Sequence, residues 1–270
     1  MDEKRWAALL TAIVLGAAGT WYYLNHVAIP PPLAEAPPPA LETAPEPAPE
    51  PVPAPPPPDY PLPPPTADAP ALPKLADSDG AVRDALSSLL GGGSFAAFMV
   101  PTQLIQHIVV TIDNLPRKRV ALSLRPIKRT PPPFLIREDS GHIYLDPANA
   151  ERYAAQVALF DAVSAEKLVA LYVRWYRLFQ RAYVELGYPE RSFNNRLVEV
   201  LDHLLATPEV PAEIELTQPK VVYEFADPTL EALSAGQKTL LRLSPVQRAD
   251  VIKQLRAIRA AVIAQVPAKS

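Results

Sequence analysis

The feature that most constrains this chain is an uninterrupted apolar segment followed at once by a proline-rich tract. Residues 6–24 read WAALLTAIVLGAAGTWYYL and contain no charged side chain. The stretch 29–74 holds 21 of the 35 prolines in the chain. Because proline fixes φ and lacks an amide donor, neither a helix nor a sheet can persist in such a tract. This order predicts an anchor, then a spacer, then a folded part held away from a membrane.

The apolar segment has the length and the ends of a transmembrane helix. Its 19 residues would span roughly 28 Å as a helix, close to the thickness of the bilayer hydrocarbon. Trp6 marks one end and Trp21 the other, and aromatic rings favour the headgroup level. A cleaved signal peptide is the alternative, but the bulky residues after the apolar run form a poor cleavage site. We therefore predict an uncleaved single-pass anchor over residues 6–24.

Flanking charges predict the orientation of this anchor. Lys4 and Arg5 precede it, and no Lys or Arg follows it before Lys74. The positive-inside rule then makes residues 1–5 a cytoplasmic tail and puts the C-terminal part on the opposite side of the membrane. The chain has no cysteine, so it has neither a lipoprotein attachment site nor a disulfide framework.

Small residues recur every four positions along the predicted anchor. They are Ala8, Ala12, Gly16 and Thr20. A ridge of this kind lets two helices approach closely, which predicts weak homo-association. The alternative is coincidence, since nearly half the segment is Ala, Gly or Thr.

The proline-rich tract over residues 29–74 is expected to be a disordered linker. Alternating proline favours the polyproline II conformation, which rises by about 3.1 Å per residue. The tract could therefore reach on the order of 130 Å. A tether of this length raises the effective concentration of the folded part near the membrane while leaving it free to search.

Residues 75–267 predict one mainly helical domain with two short β-hairpins. Capping residues, proline at first helical positions and glycine after helix ends mark the boundaries. The expected helices run from a cap at Asp77 or Ser78 to residue 90, and over 101–115, 147–163, 165–186, 193–206, 228–243 and 245–265. The expected hairpins cover 134–145, turning at Ser140-Gly141, and 214–225. Whether the two hairpins join into one sheet stays open at this point.

Four stretches of this domain resemble a known bacterial family, the domain of unknown function three thousand and fourteen. They are LPKLADSDGAVRDAL at 72–86, AERYAAQV at 150–157, AYVELGYPERSFNNRLVEVLDHLLATP at 182–208 and LEALSAGQKTLLRLSP at 230–245. The anchor and the proline tract also suit that family. The resemblance implies an envelope protein anchored in the inner (cytoplasmic) membrane with its C-terminal domain in the periplasm. It implies no activity and no functional residues.

Six cations within residues 117–129 form a candidate anionic-surface contact, and no acid lies between Asp113 and Glu138. They are Arg117, Lys118, Arg119, Arg125, Lys128 and Arg129. Such a cluster could bind lipid headgroups or another anionic envelope polymer, and the alternative is a solvated loop. Residues 75–267 carry 22 Lys and Arg against 21 Asp and Glu. This near balance, with no aromatic residues among the six cations, argues against a nucleic-acid partner.

Other residues with possible chemistry have structural explanations. Glu199 and His203 stand four apart on one helix face, but a metal site needs further ligands, and a surface pair is the expected alternative. Ser94 lacks the elbow motif of a serine hydrolase. The aromatic residues that stripe 172–183 fit a core face, with Arg174, Arg177 and Arg181 on another side. We predict no catalytic residue, no metal and no cofactor.

A binding, scaffold or adaptor module for an envelope protein or the cell wall is therefore the leading functional hypothesis. The alternative is a tethered cell-wall hydrolase without a recognisable motif. An energy transducer of the TonB type shares the anchor and the proline tract, but its terminal domain is smaller and richer in strands. An enzyme requires a cleft with converging titratable groups, whereas a binding module presents a groove or an apolar patch.

Overall fold

The computed structural model describes residues 58–64, 70–130, 133–211 and 213–267. These residues form a mainly helical domain with a small four-stranded antiparallel sheet. The α-helices are α1 Asp79–Leu90, α2 Gly92–Phe98, α3 Leu104–Asn114, α4 Ala154–Ala162, α5 Ala165–Glu185, α6 Phe193–Leu205, α7 Pro228–Glu231, α8 Ala235–Leu241 and α9 Pro245–Ile263. The strands are β1 Ile136–Asp139, β2 His142–Leu145, β3 Glu215–Thr217 and β4 Glu224–Phe225.

The predicted anchor, residues 6–24, lies outside the described residues, as does most of the predicted linker. The small-residue ridge of Ala8, Ala12, Gly16 and Thr20 lies there too. Among the residues that are described, no helix has the length and apolarity needed to cross a bilayer.

Serine caps start the long helices where the sequence predicts them. The hydroxyls of Ser164 and Ser192 each accept a hydrogen bond from a backbone amide in the first turn, of α5 and α6 respectively. Ser244 and Gln247 form a reciprocal capping box at the start of α9. Each cap satisfies amides that have no partner inside the helix, which explains the agreement at these boundaries.

The helix predicted from residue 101 begins later, at Leu104. Gln103 has a left-handed φ of 49°, and this conformation interrupts the helix. The Asp79 carboxylate from α1 accepts hydrogen bonds from the backbone amides of Gln103 (2.6 Å) and Leu104 (2.9 Å). The start of α3 is therefore fixed by a residue on another helix.

Three other predicted helical regions differ from the structure. The expected helix over 147–163 opens as a 3₁₀ helix, Pro147–Tyr153, before α4. The expected helix over 228–243 is two helices, because Ser234 and Gln237 form a capping box that starts α8. The expected break after Leu90 is a single residue, Gly91, with φ of 82°, and α2 follows directly.

The two hairpins join into one sheet in the order β1-β2-β3-β4. Ser140 and Gly141, with φ of 51° and 83°, make the tight turn between β1 and β2. Strand β2 then pairs with β3, placing Ile143 opposite Leu216. Leu216 and Phe225 bury the inner face of the sheet against Leu241 of α8.

The helices build two hydrophobic clusters that share α5. Its N-terminal half contributes Ala165 and Val169 to a cluster with α6, α8 and α9. Its C-terminal half contributes Trp175, Leu178, Ala182 and Tyr183 to a cluster with α1, α2, α3 and the start of α6. Helix α5 is therefore the central element of the domain.

Gly236 of α8 lies where α8 crosses the end of α3. Its amide donates to the Leu115 carbonyl at 2.9 Å. A Cβ added there would lie 2.6 Å from Leu204 Cδ2 and 3.0 Å from the Leu115 carbonyl oxygen. We expect Gly236→Ala to lower the free energy of unfolding by about 1–3 kcal/mol through overpacking, in chemical denaturation followed by circular dichroism.

Gly93 of α2 provides the matched control for this substitution. A Cβ at Gly93 meets nothing within 4 Å. Gly93→Ala should therefore stabilise the domain by about 0.4–1 kcal/mol, because alanine restricts the unfolded chain. Equal effects of the two substitutions would contradict the close approach of α8 to Leu115.

Candidate functional site

A cavity of about 210 Å³ lies at the seam between the two helical clusters. Helices α1, α3, α5, α6 and α9 surround it. Val82, Trp175 and Phe193 come from one cluster, whereas Val169 and Ile258 come from the other. The cavity marks the place where the two clusters meet without filling the space between them.

The wall of the cavity is built from apolar and aromatic side chains, and no charged residue contributes to it among the described residues. Tyr172 brings a hydroxyl, but this group donates to Asn194 Oδ1 at 2.9 Å. Burial raises the pKa of Tyr172 well above its usual range, and Tyr176 adds to this effect. Tyr172 is therefore a neutral hydrogen-bonded wall residue, and the cavity suits an apolar ligand.

Aromatic rings give one side of the cavity a fixed shape. Phe179 and Phe193 stack with their centroids 5.8 Å apart, and Tyr172 meets Phe179 edge-on at 5.3 Å. The aromatic stripe on α5 is thus a core face, as predicted, and part of it also lines the cavity. The helical spacing of apolar residues predicts which helix faces are buried. It does not predict the cavity that remains where those faces meet.

A polar centre surrounds Asp113, at the end of α3. Asp113 is 3% exposed and accepts from Arg117 Nη2 at 2.5 Å and from Arg196 Nε at 2.9 Å. Arg117 Nη2 also donates to the Tyr188 hydroxyl at 2.7 Å. Asp113, followed by this hydroxyl, raises the pKa of Arg117. The network links α3 to α6 and to the turn after α5. Its role is therefore structural.

The structure assigns four of the six candidate anionic-surface cations to internal contacts. Arg117 belongs to the Asp113 network. Lys118 Nζ donates to the Ala232 carbonyl, Arg125 Nε to the Leu122 carbonyl at 2.9 Å, and Lys128 Nζ to the Ala96 carbonyl. The bonds of Arg117, Lys118 and Lys128 hold the segment against the domain, whereas the Arg125 bond lies within the segment.

Arg119 and Arg129 remain exposed and make no hydrogen bond or ion pair within the described part of the chain. The same segment exposes three apolar side chains, Leu122 (68%), Leu124 (38%) and Ile127 (47%). Cations interspersed with exposed apolar groups are typical of surfaces that meet lipid. The contact of this segment with an anionic surface stays a prediction.

Other sequence candidates have partners within the domain. His203 Nε2 lies 2.8 Å from Ser234 Oγ, and Glu199 pairs with Arg196 at 3.2 Å, so the expected pair between Glu199 and His203 does not form. On the arginine side of α5, Arg181 pairs with Glu185 at 2.7 Å. Within the described ranges, no group of His, Cys, Asp or Glu has the arrangement needed to hold a metal ion.

Hydrogen bonds lower the pKa of several carboxyl groups. Ser164 lowers the pKa of Glu166, and Thr229 lowers that of Asp227. Burial opposes the lowering at Glu231, but hydrogen bonds from Lys238 and the Phe225 amide outweigh it. A general acid for glycan cleavage needs a carboxyl group with a raised pKa. The pKa values of Glu166, Asp227 and Glu231 are lowered instead.

The comparisons with known proteins concern the helical domain. Neither a curated protein nor a solved structure matches the chain. The family model described as Protein of unknown function (DUF3014) matches residues 104–259, from the start of α3 into the last helix. This match covers more than half of the 270 residues, and the chain therefore belongs to the DUF3014 family.

Proposed function

We propose that this chain is a membrane-tethered envelope binding module whose cavity holds an apolar chain, such as the acyl or prenyl chain of an envelope lipid. The observation that carries this proposal is the uncharged cavity between α1, α3, α5, α6 and α9. Its volume, about 210 Å³, exceeds that of an engineered apolar cavity of about 150 Å³ that stays dry and binds benzene.

The predicted anchor and orientation support this choice of ligand. A single-pass anchor over residues 6–24 and a proline tether would keep the domain beside the inner membrane, on its periplasmic side. Lipid chains are then the most abundant apolar ligand within reach. Leu122, Ile127, Arg119 and Arg129 are exposed on one segment of the chain. They provide apolar groups and positive charge for contact with a lipid surface.

The tethered hydrolase is less well supported by the same geometry. Such an enzyme needs two carboxyl groups at a fixed separation in a cleft, one of them with a raised pKa. The lining of the cavity supplies no carboxyl group among the described residues. The proposed module therefore binds its ligand without changing it covalently.

Photo-crosslinking in membranes tests the proposal with the full chain. A fatty acid bearing a diazirine in its chain is added to membranes containing the protein and activated by light. Peptide mapping should find adducts on the α1, α3 and α5 peptides that line the cavity, in addition to the predicted anchor. Adducts confined to residues 6–24 would overturn the proposal.

A filled cavity should remove the labelling of the domain. Ala85 lines the cavity from α1, and Ala85→Phe should lower adduct yield in the domain about tenfold or more by occupying the space. Ala81 lies on the same helix and is exposed, so Ala81→Phe serves as the matched control and should leave the yield unchanged. Labelling of the anchor measures the probe dose in both variants.

A further inference from the structure

Tyr60, in the second half of the proline tract, is held by two adjacent asparagines at the start of α6. Tyr60 donates its amide to Asn195 Oδ1 at 3.0 Å and accepts from Asn194 Nδ2 at its carbonyl at 2.8 Å. Asn195 Nδ2 also donates to the Asp59 carboxylate at 3.2 Å. Both backbone polar groups of Tyr60 are therefore bonded by side chains more than 130 residues away in the sequence.

The asparagine pair is preorganised for this task. Asn194 is fully buried, and its Oδ1 accepts from the Tyr172 hydroxyl at 2.9 Å. This bond orients the amide so that Nδ2 faces the Tyr60 carbonyl. Ser192 caps the same helix end and fixes the backbone of Asn195 by accepting from its amide at 3.3 Å. Because these donors and acceptors are already fixed, little side-chain entropy is lost when the segment binds.

The bound segment is equally suited to recognition. Residues 58–64 read PDYPLPP, and four of the seven are proline. Prolines restrict the free segment to extended conformations, which lowers the entropy lost on binding. The Tyr60 side chain packs against the cluster formed by α5, α6, α8 and α9, adding apolar contact to the backbone hydrogen bonds.

We infer that Asn194 and Asn195 form a peptide clamp that recognises an extended, proline-flanked Asp-Tyr segment, and that its occupant is residues 58–64 of the same chain. Occupancy of the clamp joins residues 58–64 of the tether to the domain, so the free spacer ends before residue 58 when the clamp is engaged. Release would lengthen the spacer and free the clamp. The clamp is separate from the ligand proposed for the cavity.

Exchange of the Tyr60 amide with deuterium tests the clamp in the full chain. Four of the residues 58–64 are prolines, so the segment has three backbone amide hydrogens. Exchange at Tyr60 is therefore measured against few neighbouring amides. Asn195→Asp keeps an acceptor for the Tyr60 amide but places a second carboxylate against Asp59. We expect the Tyr60 amide to exchange at least about tenfold faster in this variant at neutral pH.

The reciprocal double variant D59N/N195D provides the control. It restores an amide facing a carboxylate, and slow exchange at Tyr60 should return. The amides of Val198 and Leu201 in α6 should exchange at the wild-type rate in all variants. Fast exchange at Tyr60 in the wild type, or no change with N195D, would overturn the clamp. Protection that rises with protein concentration would overturn the intrachain occupant in favour of a second copy.

Discussion

Replacing Asp113 with alanine is expected to lower the free energy of unfolding by about 2–4 kcal/mol. The substitution leaves Arg196 and Arg117 without the carboxylate that both contact. Removal of one partner from a buried ion pair typically costs about 3–5 kcal/mol. The effect should fall somewhat below this range, because the side chains of Arg196 and Arg117 are 20% and 50% exposed. Chemical denaturation followed by circular dichroism measures it.

Asp84 is the matched control for this substitution. Its side chain is 77% exposed and lies 3.5 Å from Arg83 in a surface pair. Asp84→Ala should change stability by less than about 0.5 kcal/mol. An Asp113→Ala variant as stable as Asp84→Ala would mean that the Asp113 network does not hold α3 and α6 together.

Phe193→Ala is expected to lower the free energy of unfolding by about 3–5 kcal/mol, the largest effect that we predict. Phe193 is fully buried; its ring stacks on Phe179 at 5.8 Å and lies 5.4 Å from Tyr183. The loss of stability combines the lost burial of the phenyl ring with the cost of the cavity that the substitution creates. Thermal unfolding of the full chain measures it, and the milder Phe193→Leu should lose about 1 kcal/mol.

The same variant separates a packing role from a ligand-binding role. Phe193 lines the cavity, so its removal enlarges the space available to an apolar ligand. A small apolar molecule such as benzene should then recover part of the lost stability in the Phe193→Ala protein, by mass action on the folded state. Absence of any recovery, with stability lost as expected, would assign Phe193 to packing alone.

Much of the local structure could be predicted from the sequence because it depends on neighbouring residues. The caps of α5, α6 and α9 and the turn at Ser140-Gly141 follow from the residues that form them. The break before α8 was also present in the sequence, since Ser234 and Gln237 have capping-box spacing. The prediction of a single helix over 228–243 misses this break.

The parts that could not be predicted depend on contacts between distant residues. Asp79 sets the start of α3 from another helix, and Asn195 binds Tyr60 across 135 positions. Asp113 is an ordinary acid at the end of an amphipathic helix until Arg196 reaches it from α6. The cavity is the extreme case, because it arises from how five helices pack and leaves no trace in any one of them.

The central claim is that the cavity holds an apolar chain, and quenching of Trp175 tests it most directly. Trp175 lines the cavity, and the other two tryptophans, Trp6 and Trp21, lie in the predicted anchor. In a full chain carrying W6F and W21F, a brominated fatty acid should quench Trp175 fluorescence in a saturable manner. Ala85→Phe should abolish this quenching, whereas Ala81→Phe should not. Fluorescence of Trp175 that stays unchanged throughout the titration would contradict the account.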